Sequence, residues 1–255
     1  MNIGILQCDD VNSTLQPRHS NYPDMFVRLL QGIEPGLRFR VWRCHEGELP
    51  ATPTEADAWL ITGSRHGVND DLPWIPRLSA FLIKAQQAGQ PIVGICFGHQ
   101  LVAKTFGGKV RKHPEGWGIG VSVNTVRQRQ PWMLPFVPAL HVLVSHADQV
   151  STLPDDTTVL ASSGFCPFYA IQIRDNVLGI QGHPEFTKDY AKDLMLKRTD
   201  TIPAERIKTA LQSLDQHVDD ATLAAWILNF MRHVHHASQP SESCTTQTAD
   251  TAVAG

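Results

Sequence analysis

The stretch Pro91-Ile92-Val93-Gly94-Ile95-Cys96-Phe97-Gly98-His99-Gln100 decides how the rest of the chain is read. Residues 92–95 form a short, continuously apolar run of the kind buried on both faces of a parallel sheet. Residues 100–106 then carry a helical pattern that stops at Gly107-Gly108. Cys96 therefore stands at the apex of a strand-turn-helix unit, at a helix N-terminus, where aligned N–H groups favour thiolate over thiol. Gly94 and Gly98 flank it, as suits a turn so tight that neighbouring side chains would collide. A core cysteine beside an ordinary βα loop fits the same pentapeptide. A second motif has to decide between them.

Upstream, short β-branched apolar runs alternate with helical patterns, the signature of a parallel sheet covered on both faces. Residues 2–8 make a first strand, 9–21 a polar loop, and 22–31 an amphipathic helix with Met25, Phe26, Leu29 and Leu30 on one face. Strands at 37–43 and 58–62 follow. The second of these runs into the polar, glycine-bearing segment 63–71, a loop at the strand's C-terminal end, where open α/β sheets carry function. Residues 76–88 repeat Leu78, Phe81, Leu82 and Ala85 at helical spacing and stop at Gly89, a helix C-cap.

Downstream, residues 109–181 are β-rich, with candidate strands at 109–112, 119–126, 140–145, 158–162, 169–173 and 177–181 that read as antiparallel meanders extending one end of the sheet. The last delivers Gln181-Gly182-His183-Pro184-Glu185 to the same edge as Cys96. In an extended segment, residues two apart point the same way, which lets His183 and Glu185 face one cleft, the carboxylate orienting the imidazole that acts on Cys96. This is the nucleophile, base and orienter arrangement of covalent hydrolases. A lone histidine before Pro-Glu also fits a surface turn, so the paired motifs carry the reading.

Composition narrows the alternatives. With 255 residues, 42% of them hydrophobic, the chain suits one large α/β domain. A net charge of −3 with scattered Lys and Arg leaves no nucleic-acid footprint. No apolar run approaches the ~20 residues of a membrane span, and the N-terminus lacks a basic leader, so a cytoplasmic protein is expected. Five widely spread cysteines without a CxxC pair suit neither a disulfide framework nor a zinc site. His233, His235 and His236 lack acidic or thiol partners in sequence, and no metal is expected.

The motifs Gly94-Ile95-Cys96-Phe97-Gly98-His99-Gln100 and Gly182-His183-Pro184-Glu185, in the order Cys, His, Glu, resemble the class I (triad) glutamine amidotransferase family, in its free-standing GMP-synthase-like and γ-glutamyl-peptidase branch. The resemblance covers roughly residues 2–200. It implies an open flavodoxin-like three-layer α/β/α sandwich, with a mostly parallel sheet, an antiparallel extension and C-terminal helices. It implies Cys96 as nucleophile, His183 as base then acid, and Glu185 as orienter. It also implies an oxyanion hole from backbone N–H groups at Phe97 and at Gly63 and Ser64. Gln100 matches the position that contacts the glutamyl moiety. Ser145-His146-Ala147-Asp148-Gln149-Val150 matches the substrate-side stretch, making Ser145 and His146 binding candidates, although His146 reads equally as a structural histidine. No cofactor is implied.

Synthase-type members pass ammonia to a synthetase domain, for which this chain has no room. Helices are expected instead at 188–197, 203–214 and 220–233, giving a domain over 1–236 with a helical extension at 188–236 and a disordered tail at 237–255 that contains Cys244. The expected activity is hydrolysis of the γ-glutamyl amide bond of glutamine or a γ-glutamyl conjugate through a Cys96 thioester. A glutaminase subunit supplying ammonia to a separate synthetase, and a non-catalytic binding module on the same fold, are the alternatives.

Overall fold

The computed structural model describes residues 1–238. The chain opens with strand β1 (Asn2–Gln7), a four-residue helix α1 (Gln16–His19), helix α2 (Tyr22–Ile33), and strands β2 (Arg38–Arg43) and β3 (Ala58–Ile61). Helix α3 (Trp74–Gln87), strand β4 (Ile92–Ile95) and helix α4 (Phe97–Thr105) follow. The β-rich middle comprises β5 (Lys109–Lys112), β6 (Gly118–Val126), β7 (Ala139–His146), β8 (Asp148–Thr152), β9 (Thr157–Ser162), β10 (Ala170–Ile173) and β11 (Val177–Ile180). Helices α5 (Lys188–Leu196), α6 (Ala204–Ser213) and α7 (Asp220–Ser238) complete it. Residues 239–255, most of the expected tail, lie outside the described residues.

Nine strands form one sheet in the order β2-β1-β3-β4-β11-β10-β9-β6-β7. The first five pair in parallel and the remaining pairings are antiparallel. The sheet is thus the mixed, helix-flanked architecture expected of the sequence. Its parallel strands alternate side chains between two cores, as the two-residue strand period requires. Ile3, Ile5, Leu60, Val93, Ile95, Leu178 and Ile180 face α2 and α7. Leu6, Trp59, Ile61, Ile92 and Val177 face α3 and α4. Helix α7 places Leu223, Trp226, Ile227, Phe230 and Met231 in the first core, each burial worth roughly 1.5–3 kcal/mol. Trp226 Nε1 donates to the Pro135 carbonyl at 2.7 Å, so the indole is buried with its N–H satisfied.

Three local readings need correction. Residues 109–112 do not extend the main sheet: β5 pairs with β8 in a separate two-stranded ribbon. Its pattern of one buried and three exposed residues cannot fill a strand covered on both faces. Residues 148–152, where no strand is expected, are the partner strand, and Asp148, Gln149 and Val150 of the substrate-side stretch lie in it. The loop at 9–21 contains α1, seeded where Asn12 caps a turn: its side chain accepts from Thr14 N–H and its carbonyl from Leu15 N–H.

Candidate active site

Strands β3, β4 and β11 are register neighbours, so their C-terminal ends bring residues 63, 96 and 181–185 to one edge of the sheet. Cys96 has φ 52° and ψ −98°, outside the regions an L-residue favours. It is held there by its N–H donating to the Ile180 carbonyl at 2.8 Å and by its carbonyl accepting from Gln100 N–H at 3.1 Å. The two glycines serve close approach. A Cβ on Gly94 would lie 2.4 Å from the Gly98 backbone, and one on Gly98 would lie 2.6 Å from the Ile61 carbonyl oxygen. The strain thus falls on Cys96, while the glycines let α4 sit directly on the sheet.

His183 Nδ1 lies 2.7 Å from Glu185 Oε1, and both side chains are almost wholly buried. The chain turns at Pro184 and Glu185, so the carboxylate folds back onto its own histidine, in place of the extended i, i+2 geometry expected. The imidazole stacks on Phe186 with ring centroids 3.9 Å apart and an interplanar angle of 8°, and His183 N–H donates to the Leu143 carbonyl at 2.7 Å. With Nδ1 committed to Glu185, Nε2 is left free for Cys96, with which the ring interacts electrostatically. Burial alone would lower the His183 pKa; the Glu185 carboxylate and Cys96 reverse this and raise it, favouring imidazolium.

The backbone of Gly63 abuts the same ring: a Cβ there would stand 2.9 Å from His183 Cε1 and 3.9 Å from Cys96 Cβ. Among the described residues, the N–H groups of Gly63 and Ser64 donate to no acceptor. Phe97 is the first residue of α4, whose N–H has no intrahelical partner. Unpaired donors therefore sit on both sides of Cys96. The loop bearing two of them is fastened by Arg65, whose N–H and guanidinium bind the buried Asp9 carboxylate at 2.7–3.1 Å. Arg65 is thus committed to the loop itself.

The three substrate-side candidates also converge here, with roles sharper than their motif suggests. Gln100 Nε2 donates to the Asp148 carbonyl at 2.8 Å and to Gln181 Oε1 at 3.1 Å, tying α4 to β8 and β11. The Ser145 carbonyl lies 4.0 Å from Cys96 Sγ. His146 Nδ1 lies 3.0 Å from the Asp148 carbonyl, and burial pulls its pKa down to about 4, keeping it neutral. A cleft of about 610 Å3 opens from Cys96 along this stretch toward Lys112, Trp117 and Arg198. Asp148 lines it; burial raises its pKa, and among the described residues its buried Oδ1 has no hydrogen-bond partner.

Two residues here escaped the sequence reading. Gln181 Nε2 lies 3.5 Å from Cys96 Sγ; extending the β4–β11 register by one residue pairs them, so this signal was present. Arg198, just beyond α5, reaches into the cleft with no sequence pattern announcing it. Asp10, His45 and Glu46 bring possible metal-ligand atoms within 4.8 Å of one another. Arg43 bonds both Asp10 and Glu46, however, so the group is satisfied as an ion-pair cluster. Cys8, Cys44 and Cys166 are buried free thiols, whereas Cys244 lies outside the described residues. No described helix is long and apolar enough to cross a membrane.

Comparison with known proteins supplies the family. The family model described as glutamine amidotransferase class-I matches residues 36–200. The chain is 34% identical over 184 residues to γ-glutamyl peptidase 4 of Arabidopsis thaliana, covering 69% of this chain and 72% of that protein. It is 34% identical over 118 residues to a GMP synthase (glutamine-hydrolysing) subunit of Methanoregula boonei, covering 46% and 64%. A crystal structure of a glutamine amidotransferase from Methylobacillus flagellatus superposes with TM-score 0.69 at 23% identity, over 94% of this chain and 95% of that one, and shares the fold. The chain belongs to the class-I glutamine amidotransferase family.

Proposed function

We propose that this protein hydrolyses γ-glutamyl amide bonds, in glutamine or a γ-glutamyl conjugate, through a thioester on Cys96. The observation that carries the reading is the meeting of Cys96, His183 and Glu185 beside the unpaired N–H groups of Gly63 and Ser64, at the head of a cleft. The Cys96 thiolate adds to the Cδ carbonyl. The charge that develops on the carbonyl oxygen is met by the N–H groups of Phe97 and the 63–64 turn, fixed before the reaction begins. His183 Nε2 gives its proton to the departing nitrogen as the C–N bond breaks, leaving a γ-glutamyl thioester and a free amine. His183 then takes a proton from water as the oxygen attacks the thioester, and glutamate and the thiolate are released. Asp148 lines the cleft beside the substrate's α-ammonium, and Gln100 holds the wall that carries it. No step requires a metal or organic cofactor.

The one-domain division over 1–236 and a cytoplasmic location belong to the same proposal; the free state of all four described cysteines favours a reducing compartment. A synthetase partner is the second reading, suggested by the likeness to the GMP synthase subunit, but that likeness spans 46% of this chain. The γ-glutamyl peptidase likeness spans 69% and favours activity without a partner. The test is direct. Purified protein should release amine from glutamine or γ-glutamyl peptides, and a glutamine-mimicking electrophile should add one mass to the intact chain, lost in Cys96→Ala. Equal inactivity of the two proteins toward every γ-glutamyl amide would end this reading, and strong stimulation by a co-purifying synthetase would favour the second.

A further inference from the structure

Arg198 poses a problem that the mechanism above does not solve. It lines the cleft, its Nη1 donates to Ser145 Oγ at 2.6 Å, and its guanidinium lies over the Trp117 ring at 4.6 Å from the centroid. Among the described residues, no carboxylate lies within ion-pair distance of it. Burial draws its pKa below the ordinary arginine value. A partly desolvated cation of this kind is costly unless an anion meets it, and a planar guanidinium is suited to bidentate carboxylate recognition.

Its position chooses between the two ends of a γ-glutamyl substrate. Asp148 and Gln100 stand together along β8 and α4. Arg198 approaches Cys96 from elsewhere: it is held by Ser145 on β7, the strand whose Leu143 carbonyl accepts the His183 N–H at 2.7 Å. It therefore belongs to the His183 side of the nucleophile. His183 hands its proton to the departing amine, so this is the side on which the leaving group sits. The cleft lies within the ~300–1,000 Å3 range of sites for drug-sized ligands, more than a free amino acid fills.

Resting on the function proposed above, we infer that Arg198, stacked on Trp117 and fixed by Ser145, binds a carboxylate carried by the leaving group, so that the preferred substrates are γ-glutamyl amino acids or peptides with a free C-terminal carboxylate. Arg198 is then a specificity-determining residue, and glutamine itself, whose leaving group is ammonia, does not use it.

The experiment compares γ-glutamyl-alanine with γ-glutamyl-alaninamide, which differ at that carboxylate alone. The full-length wild-type protein should prefer the free acid in kcat/KM by roughly 10- to 100-fold, the span of one charge-assisted, two-pronged contact, mostly through KM. In Arg198→Met the ratio should fall close to one, and in Arg198→Lys it should be intermediate. The inference is overturned if the wild-type protein shows no preference, or if Arg198→Met retains it. Equal loss on both substrates leaves the ratio intact and would assign the arginine to the α-carboxylate or to structure. Should Arg198→Met not fold, the wild-type ratio and the lysine variant still decide. Cleavage of neither substrate by the wild type overturns the hydrolytic function itself, and this inference with it.

Discussion

The two walls of the cleft are built in different ways. One consists of parallel-strand ends: Gly63, Cys96, and the segment from Gln181 to Glu185, set by backbone hydrogen bonds and by contacts with no slack. The other is a rim of separate segments, the β5–β8 ribbon beside Gln100 and, on the His183 side, the 113–117 turn with the residues after α5, and it presents long side chains, Lys112, Trp117 and Arg198. The first wall fixes atoms that react, where a displacement of about 1 Å can cost ~100-fold. The second meets whatever the bond is attached to, so its contributions are graded and depend on substrate. Substitutions on the two walls should therefore fail differently.

The largest effect is expected from Glu185→Gln, which keeps the shape of the side chain and removes its charge. By analogy with other triads, kcat should drop by roughly 10²–10⁴-fold on every substrate alike. A second signature is in stability. The folded protein holds the His183 proton more tightly than the unfolded chain does. Its contribution is complete below the unfolded pKa of about 6.5 and is lost as pH rises from there through the raised folded value. Melting temperatures of wild type and Glu185→Gln measured across alkaline pH should therefore converge. A gap that widened with pH would contradict the imidazolium–carboxylate pair.

Gly63→Ala tests the same wall sterically. The added methyl would meet His183 Cε1 at 2.9 Å, and Phe186 behind the ring together with Glu185 beside it leaves the imidazole little retreat. A loss of roughly 100-fold in kcat is expected with the fold intact by circular dichroism, again regardless of substrate. A loss confined to KM would show the 63–64 turn to be a binding element instead of part of the reacting wall.

Trp117→Ala moves to the graded wall. Removing the ring beneath Arg198 forfeits a cation–π contact of about 0.5–2 kcal/mol. kcat/KM for free-acid γ-glutamyl peptides should fall by no more than roughly 30-fold, with a distinctly smaller loss on glutamine. Equal losses on both substrates would erase the distinction between the walls.

The same contrast explains what the sequence disclosed. The reacting wall was legible because each of its parts is local: an apolar run, a tight turn with glycines at the close approaches, and a histidine two residues before a glutamate. Even Gln181 was within reach, one register step beyond Ile180. Ser145, His146 and Gln100 were placed by resemblance alone, and their hydrogen bonds to Arg198 and Asp148 depend on how distant segments pack. Arg198 had no local signal, since its place depends on the turn after α5 and on a stack against Trp117, far back in the chain. The β5–β8 ribbon was missed for a related reason: alternation identifies a strand but not the sheet it joins.

The smallest effect is expected where the reacting wall is most tightly filled but carries no chemistry. Tyr169 is fully buried beneath Gly182, close enough that a Cβ on that glycine would lie 2.1 Å from the phenol oxygen. Among the described residues, its hydroxyl has no hydrogen-bond partner. A buried, unpaired hydroxyl gains nothing from the fold and has lost its hydration, a penalty of about 1–3 kcal/mol in protein mutational series. Tyr169→Phe keeps the ring that packs under the His183 turn and removes that penalty. The variant should therefore melt at the same temperature or a few degrees higher, with kcat within about twofold of wild type. A melting temperature several degrees lower would mean that the hydroxyl is hydrogen-bonded in solution, and that the wall is held from below by a polar contact as well as by packing.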